Sequence, residues 1–299
     1  MVNQIISATR YNELQGRIAG ILGAGSGDKG YNATVSSSAV PVLETVLVIH
    51  MNNLYADFTN VYAHIYGILP STISTVTTDN EITEVLYAAY ETLITTLETN
   101  RFTLHPDQDS LEASGINTTR TTVWGGTSLP QTINHSFTVN FGTANARRGF
   151  FNAGGEIQFT ANLTHELGPS DANYQKNVDW DTMLSNMQTI KFKRTITDNT
   201  NPGSGTGSST GSEDLNTGYQ TLFLKTGSAT YTNNSYSIQA KLVNDFTIEF
   251  NIQFADADVG AGGADEYVTG TLSSTIAHLR ASGSYVNNPA PSYVNTSTL

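Results

Sequence analysis

Two periods divide this chain. Through residues 1–101 the apolar positions recur at steps of three and four, which marks helices with one buried face. Tyr11, Leu14, Ile18 and Ile21 share a face, so a first helix is predicted over 9–22, with Ser7 or Thr9 as its cap and Gly23 at its end. A second is predicted from Pro41, a good first-turn residue, to Tyr66. Leu47, Leu54 and Val61 fall at steps of seven on it, with Leu43, Phe58, Tyr62 and Ile65 beside them, and Gly67 and Pro70 end it. A third starts at Thr78, whose partner Glu81 completes a capping box, and carries Ile82, Leu86, Ala89, Leu93 and Leu97 as its stripe. On another of its faces Glu84, Glu91 and Glu98 form a row that reads either as a solvated acidic face or as a docking strip for a basic partner.

From residue 118 onward the period becomes two. Ile133, His135, Phe137, Val139 and Phe141 alternate with polar residues, as do Ile157, Phe159, Ala161 and Leu163, then Tyr236, Ile238, Ala240 and Leu242. The cleanest run is Phe246, Ile248, Phe250, Ile252 and Phe254. One-sided alternation predicts antiparallel strands with one face on a core and one in water. With Gly-rich turns between them, a β-sandwich or jelly roll follows. A short helix over 179–187 is expected to cover an open end.

The fold class is therefore α+β, an N-terminal helical region followed by an antiparallel β-sandwich or jelly-roll-like domain. The predicted domains are 1–105, a helical docking and assembly region, and 118–284, the β domain. Within the latter, residues 199–218 are low-complexity and expected as a flexible loop. Residues 285–299 are uncharged, contain Pro289 and Pro291, and are expected as an extended tail able to lie across a neighbouring subunit.

Composition narrows the function. Charged residues make up 13% of the 299, about half the usual ~25%. Ser, Thr, Asn and Gly take their place, which suits an all-β extracellular or virion surface. The 14 Tyr and 12 Phe argue against disorder. A net charge of −12 argues against a protein that wraps DNA. No cysteine is present, which excludes disulfides, thiolate metal sites and a Cys nucleophile. No segment reads as a bilayer span; the most apolar run, 40–51, contains Pro41, Glu44 and His50. The opening residues lack a secretory pattern, so release from a cytoplasm without standard export is expected.

Candidate chemistry is sparse. Gly25, Gly27 and Gly30 match a dinucleotide fingerprint, but Tyr31–Ser38 is poor helix material, Asp28 would face the phosphates with the wrong charge, and no βαβ pattern follows. Asp256, Asp258, Asp265 and Glu266 on a Gly-rich loop are the calcium candidate, without EF-hand spacing; a solvated loop tip is the alternative. Asp179 and Asp181 flank Trp180, an arrangement seen in sugar binding, yet neighbours at a helix start read better as charge–dipole partners. The histidines form no ligand set, and His135 reads as a satisfied core residue. No catalytic residue and no cofactor is expected. Arg147 and Arg148 stand out in an acidic chain, either as an exposed loop pair or as an interface anchor.

Four phrases carry a resemblance: Arg-Tyr-Asn-Glu-Leu-Gln at 10–15, Gly-Ser-Gly-Asp-Lys-Gly-Tyr at 25–31, Trp-Gly-Gly at 124–126, and Arg-Arg-Gly-Phe-Phe-Asn-Ala-Gly-Gly-Glu-Ile at 147–157. Together they resemble virion structural proteins of tailed bacteriophages, especially contractile-tailed phages of cyanobacteria and other marine bacteria. The likeness touches the first 35 residues and the 120–160 region. It implies a non-enzymatic virion component assembled in the host cytoplasm, in the neck, tail, baseplate or fibre-attachment apparatus. The expected partners are further copies of itself and other virion proteins, not nucleic acid or membrane. A symmetric ring or trimer is expected. Tyr11, Leu14 and Ile18 are then the expected interface stripe of the helical part, and Arg147, Arg148 and Phe150 the contacts of the β part. The alternatives are a capsid decoration protein, or a receptor- or carbohydrate-binding tail module whose Tyr-rich loops would meet a host-surface glycan.

Overall fold

A computed structural model describes residues 6–77, 82–260, 262 and 264–299. The chain divides into two units. One comprises Met1–Ser110, Thr143–Gly155 and Arg280–Ala290; the other comprises Leu111–Gly142, Glu156–Leu279 and Pro291–Leu299.

The first unit is built on helices α1 (Ala8–Leu22), α2 (Val48–Tyr66) and α3 (Glu84–Asn100). Ser7 caps α1, its hydroxyl accepting from the Arg10 amide at 3.2 Å. Helix α2 starts later than predicted. Residues 41–44 form a turn closed by the Glu44 amide on the Pro41 carbonyl, and His50 rather than proline chemistry caps the helix, its Nδ1 accepting from the Leu47 amide. Gly67 ends it in a left-handed conformation, φ 71°. Helix α3 is capped by Thr83; the capping box expected of Thr78 and Glu81 lies outside the described residues. Its buried stripe is Tyr87, Tyr90, Leu93, Ile94 and Leu97, with Ile82, Leu86 and Ala89 half-buried beside it, because the large tyrosine rings take the inward positions.

The three helices run in the same direction. Tyr11 at the start of α1 donates to the His50 carbonyl at the start of α2, and Tyr87 at the start of α3 donates to the Arg10 carbonyl. At the other end the Asn100 amide reaches the Tyr66 hydroxyl. Parallel neighbours need long returns, and half-buried polar side chains help to hold those returns. Asn12 clasps Val40 through both its backbone groups at 2.7 Å, and Asn52 does the same for Val76 at 2.9 and 3.0 Å. Asp57, fully buried, accepts the amides of Ser36 and Ser37 and the Ser37 hydroxyl. These contacts satisfy backbone groups that burial would otherwise leave unpaired. Four buried tyrosines follow the same rule: Tyr11, Tyr31, Tyr87 and Tyr90 each donate to a main-chain carbonyl.

The acidic row of α3 lies at the solvent side, as a solvated face would, but it is paired within the unit and not free to dock. Arg10 forks onto Glu84 and Glu91, and Arg17 onto Glu98, at 2.7–3.1 Å. Arg10 and Arg17 are seven apart, as are the glutamates, so parallel packing brings the two rows into register. The hydrogen bonds hold the Glu84 and Glu98 carboxyls below their usual range.

The second unit carries two sheets. One has the order β1 (Asp109–Ala113), β11 (Thr271–Ala281), β4 (Glu156–Thr164), β5 (Ile190–Phe192), β6 (Thr197–Asn199), with β2 (Thr118–Arg120) also on β11. The other has β12 (Ser292–Ser297), β3 (Thr132–Asn140), β10 (Thr247–Ala255), β9 (Ser235–Asn244), β8 (Gln220–Thr226), β7 (Thr206–Gly207). The pairings of β3, β9 and β10 are antiparallel, and the predicted alternation is seen in β3 and β10, where every second side chain is buried. Rings join the sheets face to face. Phe250 of β10 meets Phe159 of β4 and Phe192 of β5, each at 5.2 Å between centroids. His135 is a satisfied core residue, bonded to Ser274 and Asn295 at 2.9 Å.

Three expectations change. Residues 199–218 are tied into the fold: Thr197 and Ser208 exchange backbone hydrogen bonds, Ser212 and Glu213 donate to Lys193 and Arg194, and β7 pairs with β8. Small polar side chains do not prevent this, because the backbone does the pairing. The closing segment supplies β12, an edge strand on β3, rather than a tail outside the domain. The region around Arg147 is a helix, α4 (Ala144–Asn152), capped by Thr143, and it belongs to the first unit.

Candidate functional site

The acidic loop is the place to begin. Its four carboxylates do not converge on a cation. Asp258 accepts the amide and side chain of Asn233, Asp265 accepts the amide and hydroxyl of Thr127, and Glu266 accepts the Tyr231 hydroxyl at 2.6 Å. Among the described residues no group of three or more His, Asp or Glu is placed to hold a metal ion. The calcium candidate gains no support, Asp256 and Glu266 are buried and not on a solvated loop tip, and the oxygens here serve a residue the sequence reading passed over. Lys176 lies on α5 (Tyr174–Met187), fully buried, and its ammonium is caged by Asp256 Oδ2 at 2.9 Å and by the carbonyls of Asp258, Glu266 and Val259 at 2.5, 2.8 and 3.4 Å. The chain's own cation fills the oxygen cage.

Asp256 is itself held from three sides. Besides Lys176 it accepts the Gly126 amide at 3.0 Å and Trp180 Nε1 at 3.3 Å. Gly125 and Gly126 have φ of 77° and 70°, and a Cβ on Gly125 would fall 2.1 Å from the Asp256 carboxylate. The Trp124-Gly-Gly phrase thus has a local reason: the tryptophan lies edge-on to Trp180 at 4.9 Å, and the glycines let the backbone reach the carboxylate. A salt bridge this buried must be fully hydrogen-bonded to be tolerated. The lysine's half of this signal was readable; its acceptors were not. Lys176, Trp180, Met183, Leu184 and Met187 fall on the buried stripe of one helix, so a lysine at an apolar position marks a paired interior charge.

Asp179 and Asp181 change role as well. Helix α5 starts at Tyr174, so neither sits at its N-terminus. Asp179 instead accepts the amide and hydroxyl of Ser228, at 3.0 and 2.6 Å, and lines an open cleft of about 160 Å³ beside Lys225 and Met183.

In the first unit the Gly-rich stretch and α4 form one joint. Arg148 donates to the carbonyls of Ala24 and Gly25, and Asn152 reaches those of Gly27 and Gly30. Gly149 lies flat on this loop: a Cβ there would come 2.6 Å from the Tyr31 carbonyl. The glycines follow a helix end and turn carbonyl oxygens toward cationic and amide donors. A phosphate cradle needs the opposite, N–H groups at a helix start. Phe150, at 1% exposure, is core, and Arg147 is half-buried on the same helix. Tyr11, Leu14 and Ile18 are core too, at 0, 2 and 0% exposure, so the stripe proposed for docking holds α1 against its own unit.

What remains exposed and apolar in this unit lies elsewhere. At the turn Pro41–Glu44, Leu43 has φ 77° and is 98% exposed. A left-handed backbone costs a non-glycine residue about 1–2 kcal/mol. Val42, Leu47 and Ile49 beside it are exposed as well.

Comparison with protein-family models, with curated proteins and with solved structures gives no match to this chain.

Proposed function

We propose that this chain is a non-enzymatic structural protein of a tailed-phage virion, a homo-oligomeric component of the neck, tail, baseplate or fibre-attachment apparatus. One observation carries the reading. Two of the phrases that resemble virion proteins, 25–31 and 147–157, are far apart in sequence, and residues of the two interlock in one joint through Arg148, Asn152 and Gly149. The residues behind the resemblance have an architectural task, the orientation of a loop carbonyl row against a helix. The third, around Trp124, has one too, at the Asp256–Lys176 cage. Phrases that serve architecture suit a protein whose product is a shape.

The test is location. An antibody raised against the recombinant chain is applied to particles purified from the phage that encodes it, with gold labelling in the electron microscope and peptide mass spectrometry alongside. Label confined to the neck, tail or baseplate is expected. Label spread over the head favours capsid decoration, and absence of the chain from purified particles overturns the virion reading. The cleft beside Asp179 favours the carbohydrate alternative only if the chain retains a host glycan from a panel and Asp179→Asn abolishes that retention.

A further inference from the structure

One cleft of the second unit holds two opposite charges that nothing answers. Asp179 of α5 lines it with Thr182, Met183, Asn186 and Lys225. Asp179 is only 8% exposed. Its Oδ1 takes both donors of Ser228, the amide and the hydroxyl. Its Oδ2 has no hydrogen-bond partner among the described residues. The nearest backbone donor is spent elsewhere. The Gly227 amide goes to the Asn234 carbonyl at 2.8 Å, although a Cβ on Gly227 would stand 2.6 Å from Oδ2. A buried carboxylate oxygen left without a donor is costly. On the β8 side of the cleft Lys225 is half-buried, and among the described residues it has no ion pair or hydrogen bond. Both walls also end in backbone that a side chain resists. Gln188, two residues past Asn186, has φ 53°, and Ala229, next to Ser228, has φ 49°. Among the described residues of this unit, no other non-glycine residue has a positive φ. Strain of this kind clusters where a ligand is held.

We propose that this cleft binds a small zwitterion, with an ammonium group for Asp179 and a carboxylate for Lys225, an amino acid in the simplest case. Opposite charges that line one cleft without pairing leave room for a ligand that carries the complementary pair. An ammonium brings the counter-charge that a buried carboxylate lacks, whereas a hydroxyl brings only a neutral donor. No aromatic ring is among the described residues of the lining, so the apolar face of a sugar ring finds nothing to stack on. The volume of about 160 Å³ is close to that of a cavity that takes a benzene-sized molecule, which suits one short amino acid. Binding here stands apart from the virion reading: absence of the chain from particles would leave it untouched.

The full chain is titrated by isothermal calorimetry with glycine, β-alanine, γ-aminobutyrate and δ-aminovalerate, whose two charges lie progressively further apart. Propylamine, propionate and glucose serve as the amine-only, acid-only and neutral probes. Wild type is compared with Asp179→Asn and Lys225→Met. Asparagine keeps an oxygen for the Ser228 donors, and Lys225 has no bond to lose, so both variants keep the fold, which far-ultraviolet circular dichroism checks. At least one amino acid of the series is expected to bind roughly tenfold or more tightly than propylamine, propionate or glucose, and each variant is expected to weaken it by a similar factor. The proposal is overturned if no member of the series binds, or if none binds more tightly than the three probes. A folded variant of either kind that binds the amino acid as wild type does overturns it as well.

Discussion

The two units treat charge in opposite ways. The helical unit keeps its ion pairs near the surface, with Arg10 and Arg17 laddered on Glu84, Glu91 and Glu98, and its buried polar groups include a carboxylate bonded to backbone amides, Asp57. The β unit drives one ion pair wholly inside, Lys176 on Asp256, both side chains at 0% exposure. The ladder aligns two parallel helices with little energy at stake, since exposed pairs contribute about 0–1 kcal/mol. The cage ties α5 to the end of β10 and to the loop that follows, where removal of one partner would strand the other in a dry interior.

The largest effect is therefore expected from the cage. Lys176→Met leaves Asp256 buried without its counter-charge, and a loss of about 3–5 kcal/mol is expected. Urea unfolding followed by tryptophan fluorescence reads it, because both tryptophans, Trp124 and Trp180, lie in the β unit. Adding Asp256→Asn should recover part of the loss. A single-variant loss below about 1 kcal/mol would place the cage on the same footing as the ladder and erase the contrast.

Acid probes the helical unit next. Burial pushes His64 down to about 4 from an ordinary 6.5. The folded form thus binds this proton less readily than the unfolded chain does. Its contribution is fully present above pH 6.5 and is lost as the pH falls toward 4, about 3 kcal/mol in all. Helical far-ultraviolet circular dichroism follows mainly this unit, which holds α1, α2, α3 and α4. His64→Phe, which keeps a ring against Tyr31, should flatten the stability slope between those pH values; an unchanged slope would assign acid sensitivity to other groups.

The ladder comes last. Arg17→Gln removes the fork onto Glu98 and should cost about 0.5 kcal/mol, less in high salt. A loss above about 2 kcal/mol, insensitive to salt, would show that the helical unit also depends on its ion pairs.

Much of the architecture was legible in the pattern of residues, for a reason particular to each element. In β3 and β10 one face is buried along the whole strand, so the period of two is unbroken. In α1 the stripe of Tyr11, Leu14, Ile18 and Ile21 is complete, and its meaning alone was open: core and interface stripes look alike until a neighbour is seen. The ladder was half legible, as two rows of seven-residue spacing whose pairing needed the parallel arrangement of α1 and α3. Helix α4 was obscured by its glycine and by a loop-like flank. The Lys176 site was the hardest, because most of its acceptors are main-chain carbonyls of Asp258, Val259 and Glu266, which carry no side-chain signature.

By itself the sequence determined the α+β class, the alternating strands and the identity of the buried aromatic faces, all of which follow from local periodicity and composition. Tertiary structure alone decided which carboxylate meets which cation, that the Gly25–Gly30 stretch offers oxygens to Arg148 and Asn152, and that Leu43 is left outside. Those outcomes depend on groups brought together from distant parts of the chain, and on backbone atoms that every residue possesses alike.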